Sequence, residues 1–237
     1  MPAYLHALTF DALDPARLAR FWAGGLRQER GDDFTVLAAK DTGFALRFVA
    51  TDEPKSAQNR LHFDLTSASP DEQGATVARA LELGGRHTDI GQLPEEEHVV
   101  LADPEGNEFC VIEPGNGFLA GCGFVGALAC DGTQAVGYFW SRALGWPLVW
   151  DQDEETAIQS PAGGTKITWG GPPLMPRGGR RDRIRFDLAV PAGEDLRAEI
   201  DRLVAAGATH LDGDGHDGGR VSLTDPDGNE FTVHKAR

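Results

Sequence analysis

Cysteine, methionine and tyrosine are scarce in this chain: three, two and two in 237 residues. Cys110, Cys122 and Cys130 form neither a disulfide framework nor a metal-finger spacing, which suits a reducing compartment and predicts a cytoplasmic protein. Cations are few as well, 22 Lys and Arg against 37 Asp and Glu, for a formal net charge of −15. That balance argues against nucleic acid as a partner and admits a cationic ligand at the acidic surface. No apolar run approaches the roughly 20 residues of a membrane helix. The opening Tyr4-Leu5-His6-Ala7-Leu8 runs into Asp11 without the basic and apolar regions of a signal peptide. A membrane partner is therefore not expected, and monomer and homodimer both stay open.

What the chain does have is 30 glycines, 14 prolines and an ordinary apolar fraction of 41%, which together read as a turn-rich folded protein. It also repeats itself. Asp103-Pro104-Glu105-Gly106-Asn107-Glu108-Phe109 returns as Asp225-Pro226-Asp227-Gly228-Asn229-Glu230-Phe231. Asp, then Pro, then Gly suits a type I turn. The residues that follow alternate, with Phe109 and Val111 opposite Cys110 and Ile112, and Phe231 and Val233 opposite Thr232 and His234. Upstream, Arg60-Leu61-His62-Phe63-Asp64-Leu65 matches Arg183-Ile184-Arg185-Phe186-Asp187-Leu188. Helices with Leu18, Phe21 and Trp22, and with Val136, Phe139 and Trp140, match in turn. Ser69-Pro70-Asp71-Glu72 reads as a helix cap with a capping-box glutamate. Each half is thus strand, helix, strands, written twice, giving four βαβββ modules. The halves are residues 1–114 and 122–237, joined by a linker at 115–121 that follows Pro114.

This pattern resembles the vicinal oxygen chelate superfamily of glyoxalases, bleomycin-resistance proteins and extradiol dioxygenases. The resemblance rests on the paired Phe-Trp helices, the HFDL and RFDL strands and the two DP-x-GNEF turns, and spans nearly the whole chain. It implies an α+β fold of tandem domains, whose modules pair into curved mixed sheets with helices outside and an open cup for a small molecule. Whether modules pair within a half or between halves is left open by the sequence.

Metal-using relatives take His or Gln and Glu from matched inward positions. Carried onto this chain, those positions are His6, Arg47, His62 and Cys110 in the first half. In the second half the first strand offers no histidine, and Thr168, Arg185 and Thr232 fill the rest. The resemblance therefore implies a small-molecule-binding protein with no metal favoured. If a metal such as iron, nickel or zinc binds, His6, His62 and Cys110 are its candidate ligands. In an enzyme, His6 or His62 would be the acid–base group. Expected ligand-contacting residues are Arg47, Asp64, Cys110, Thr168, Arg185, Asp187 and Thr232, with Arg47 paired to Asp64 or meeting an anionic ligand group, and Arg185 paired to Asp187 or holding a ligand carboxylate or phosphate.

Two motifs promise more than they carry. Gly121-Cys122-Gly123-Phe124-Val125-Gly126 fits G-x-G-x-x-G but opens a strand and lacks the strand–turn–helix context of a nucleotide site. Asp212 to Asp217 looks like a calcium loop without its distal glutamate. Arg177, Arg180, Arg181, Arg183 and Arg185 read as a solvated basic segment leading into a strand. Trp22, Trp140 and Trp169 are expected in the core.

Overall fold

Alternation along the strands sorts residues onto two faces. The structure, a computed structural model, describes residues 2–31, 33–37, 43–93, 95–176, 181–211 and 219–236. The first module is β1 (Tyr4–Ala12), α1 (Pro15–Leu26), β2 (Thr35–Val36) and β3 (Ala45–Ala50). The second is β4 (Leu61–Leu65), α2 (Pro70–Glu82), β5 (Arg86–His87), β6 (Val99–Ala102) and β7 (Glu108–Val111). The third is β8 (Val125–Cys130), α3 (Gln134–Leu144), β9 (Leu148–Gln152), β10 (Glu155–Gln159) and β11 (Lys166–Trp169). The fourth is β12 (Ile184–Val190), α4 (Leu196–Ala205), β13 (Thr209–His210), β14 (Arg220–Thr224) and β15 (Glu230–Lys235). The calcium-like loop, Arg177 and Arg180 lie outside the described residues.

The modules pair between halves. One sheet has the order β13-β14-β15-β12-β1-β3-β2, joining the first module to the fourth. The other runs β5-β6-β7-β4-β8-β11-β10-β9, joining the second to the third. The joints are the antiparallel pairs β1–β12 and β4–β8. The short connection at 112–124 sets the third module beside its sequence neighbour, as consecutive elements usually lie. The connection at 51–60 crosses from one sheet to the other.

One face of both sheets feeds a shared core. Leu5, Leu8 and Phe10 of β1, Leu61, Phe63 and Leu65 of β4, and Phe186 and Leu188 of β12 are buried in it, as is Trp169. Leu18, Phe21 and Trp22 of α1 and Val136, Phe139 and Trp140 of α3 join them. These positions recur at helical spacing, which is why the helices present one apolar stripe. Asp14 and Ser69 cap α1 and α2, accepting from Arg17 N at 2.9 Å and Glu72 N at 3.2 Å.

The closing turns do more than reverse the chain. Asp103 is fully buried, accepts from the backbone amides of Glu105 and Asn107, and takes Trp22 Nε1 on Oδ2 at 3.1 Å. Asp225 repeats this with the amides of Asp227 and Asn229 and with Trp140 Nε1 at 3.1 Å. Burial pushes both carboxyl groups upward, against the pull of these donors. Each tryptophan belongs to a module of one sheet and each aspartate to a module of the other, so two reciprocal clasps tie the sheets together. Gly106 and Gly228, at φ 91° and 78°, supply the left-handed backbone that lets these turns close.

Candidate functional site

The helix-free face of the seven-stranded sheet gathers polar groups around one carboxylate. Asp187, on central β12, has no solvent exposure. Thr232 Oγ1 donates to its Oδ1 at 2.7 Å, and His234 Nε2 lies 3.3 Å from the same oxygen. Arg220 donates to Oδ2 at 3.1 Å from β14, while Arg47 on β3 approaches that oxygen at 3.8 Å. The two arginines reach in from opposite sides of the sheet and stay 35% and 36% exposed. Both thus keep guanidinium N–H groups toward the open face.

His6 enters this group through a bulge. Leu5 pairs with Leu188 and Ala7 with Asp187, so His6 is the extra residue on β1. Such a bulge re-aims a side chain without breaking the sheet. The His6 ring meets His234 edge-on at 5.4 Å and Tyr4 at 6.1 Å. Burial, with His234, Arg220 and Arg47 adding to it, holds His6 below the usual imidazole range despite nearby Asp187. These influences favour its neutral form.

Arg185 does not pair with Asp187. Its guanidinium forks onto Asp11, at 2.6 and 2.7 Å. The register explains this: Arg185 sits opposite Thr9, one step closer to Asp11 at the far end of β1. There the face opens into a cleft of about 660 Å³ between the 51–60 connection and residues 181–185. Its cations are committed. Lys55 meets Glu108 at 2.5 Å, Arg60 meets Asp131 at 2.6 Å, Arg183 meets Glu105 at 2.5 Å and Arg181 meets Glu230 at 3.0 Å.

The eight-stranded sheet carries the other sequence candidates. His62 Nε2 lies 3.4 Å from Asp64 Oδ1. Ligand atoms of His62, Asp64 and Cys110 all fall within 4.8 Å of one another. Burial works against the imidazolium of His62, yet Asp64 and Cys110 outweigh it and push the group up to about 10. Burial raises the Cys110 thiol. Thr168 stands on the same face, on β11, and donates to the Thr156 carbonyl at 3.1 Å.

This second face is covered by the chain itself. Leu119 and Phe118 of the inter-half linker pack with Val100, Cys110, Ile112 and Ala127. Lys166 donates to the Phe118 carbonyl and lies 4.6 Å over its ring, and Trp150 meets that ring at 5.9 Å. Room for the cover comes from Gly126, the bulge residue that matches His6 in the repeat. A Cβ there would stand 2.6 Å from Thr66 Cγ2 and 3.0 Å from Leu119 Cδ1.

Cross-half pairing revises several sequence expectations. His6 lies on one sheet and His62 and Cys110 on the other, so the trio His6, His62 and Cys110 is not assembled. Arg47 shares its face with Asp187, not Asp64. Asp64 instead completes a three-donor cluster. Histidine nitrogen, carboxylate oxygen and thiolate sulfur suit zinc, iron or nickel by donor type, so the cluster fits such an ion. No donor comes from the facing module, which offers Gly126 and Thr168. His234 and Arg220 join the site beyond the sequence candidates. Alternation with Thr232 places His234 on the open face, whereas Arg220 carries no signal short of the strand pairing.

Comparison with known proteins agrees with this architecture. The family model for a glyoxalase-like domain matches twice, at residues 7–112 and 126–234. Glyoxalase I from Zea mays superposes with a TM-score of 0.63 at 14% identity, covering 98% of this chain and 92% of that one. A putative dioxygenase from Bacillus subtilis gives 0.57 at 14% identity, covering 99% and 85%. None of the curated proteins compared matches significantly. Four βαβββ modules, two mixed sheets and two matches to one domain model identify the chain as a tandem member of the glyoxalase-like domain family, with the vicinal oxygen chelate fold.

Proposed function

We propose that this protein binds a small organic molecule on the open face of the seven-stranded sheet, between His6 and the cleft at Asp11. The observation that carries this reading is the contrast between the two faces. One holds half-exposed arginines organised on a buried carboxylate, while the other is filled by Phe118 and Leu119. Ligand sites combine a concavity with a few fixed polar groups; the Asp187 group supplies the polar groups and the cleft at Asp11 the concavity. Its four positions matching the family's metal ligands are His6, Arg47, Arg185 and Thr232, which do not make a metal site. The histidine side chains provide the test. On addition of a mixed-charge library of small organic molecules, imidazole NMR signals of His6 and His234 should shift while those of His62 stay in place. A library that moves only His62, or no histidine, counts against the reading.

A second reading rests on the convergence of His62, Asp64 and Cys110. These residues would hold iron, nickel or zinc, and a bound ion would supply Lewis acidity to an enzyme. Binding would require the proton to leave His62 and the thiol to ionise. The assay is elemental analysis of purified protein alongside H62A. Stoichiometric metal lost in the variant supports the second reading, and equal trace metal in both removes it.

A further inference from the structure

We infer that the ligand of the seven-stranded face is a carboxylic acid, gripped as its carboxylate by Arg47 and Arg220. This rests on the proposed binding role of that face and names what it would take. Two guanidinium groups converge on one oxygen, Asp187 Oδ2, at 3.8 and 3.1 Å. Asp187 is fully buried and its other oxygen already accepts from Thr232, with His234 Nε2 3.3 Å away. Among the described residues, one buried carboxylate therefore balances two cations. Arg185 and Asp11 cancel one another in their fork. Asp33 also acts on Arg47, but it is an exposed rim group whose influence water screens.

Donor capacity gives the same answer. A guanidinium offers five N–H groups. Among the described residues Arg220 spends one on Asp187 and Arg47 makes no hydrogen bond. The planar fork of an arginine matches a carboxylate's two oxygens better than a neutral amide or an ammonium group. The buried Asp187 holds the Arg220 fork and draws Arg47 toward it by charge before a ligand arrives, which lowers the ordering cost of binding. In a chain of net charge −15, the described residues of this face leave a local excess of positive charge that would draw an anion inward. The edge-on row of Tyr4, His6 and His234 beside it suits a flat organic body attached to the carboxylate.

The test is calorimetric titration of the full chain with matched pairs: benzoate and benzamide, phenylacetate and phenylacetamide, butyrate and butyramide, with benzylamine as the cation. The expected result is that at least one carboxylate binds about tenfold or more tightly than its amide and than benzylamine. R47Q and R220Q should each weaken that carboxylate about tenfold to a hundredfold and leave its amide unchanged. R220K keeps the charge and loses the fork, so it should fall between wild type and R220Q. Both arginines are half-exposed, and unfolding curves check that each variant is folded. Amides or benzylamine binding as tightly as every carboxylate, or carboxylate affinity unmoved by both glutamine variants, overturns the inference. If an amide still moves the His6 and His234 signals in that case, the binding role survives without the carboxylate. If no probe moves them, both fail.

Discussion

At the scale of single residues, two histidines that look alike in sequence are shifted in opposite directions. His6 is pushed toward the neutral form chiefly by burial, and His62 toward the imidazolium by Asp64 and Cys110 against burial. NMR titration of metal-free protein should show His62 still protonated at pH 8 and losing its proton near pH 10. D64N should bring it back toward the ordinary value of about 6.5. The sign for stability follows from linkage. A histidine whose folded value is raised contributes fully below about pH 6.5, and that contribution disappears as pH rises through about 10. The stability gap between wild type and H62A in unfolding experiments should therefore narrow across that window, and a constant gap would contradict the ion pair. Glu199 works in the other direction. Burial raises it, but bonds from Arg202 and from the Ala3 amide prevail and lower it. The stabilisation lost in E199Q should be present above about pH 4.5 and vanish as the solution is made more acidic.

At the scale of elements, the features that fix the fold are also those most legible in the sequence. The Phe-Trp helices, the HFDL and RFDL strands and the DP-x-GNEF turns name their own faces by periodicity, because burial on one side demands a repeat of 2 or 3.6 residues. Asp103 and Asp225 show where such reading stops. They fit a turn locally, yet one partner of each, Trp22 and Trp140, is reached through tertiary packing that no local pattern encodes. W22F removes one donor from a buried carboxylate and trims a core ring. It should cost about 2–4 kcal/mol in urea unfolding, whereas replacing an exposed residue such as Leu93 should cost under about 0.5 kcal/mol. The linker gives a second case. Its glycines and asparagine read as a bare connection, but Leu119 fills the space left by Gly126. G126A should destabilise by about 1–3 kcal/mol through crowding against Thr66 and Leu119, measured in the same way. A neutral outcome would mean that the linker does not seat there.

At the scale of the whole molecule, the decisive fact is which modules share a sheet. A repeat announces the modules but not their partners, because every module carries the same apolar face and each joint is an antiparallel edge pairing available to any of them. The candidate site inherits that ambiguity. His62, Asp64 and Cys110 lie within one module, within reach of alternation. The Asp187 group joins Arg47 from near the start of the chain to Arg220 and His234 from near its end, and becomes visible only once β1 lies beside β12. The pairing leaves one face open and polar and the other covered by the chain's own linker. The most direct measurement is a crystal structure with the tightest-binding carboxylate from the calorimetric panel. The account requires density over Asp187, within hydrogen-bonding distance of Arg47 and Arg220 and beside His6. Density over His62 and Cys110, with Phe118 and Leu119 displaced, would contradict it.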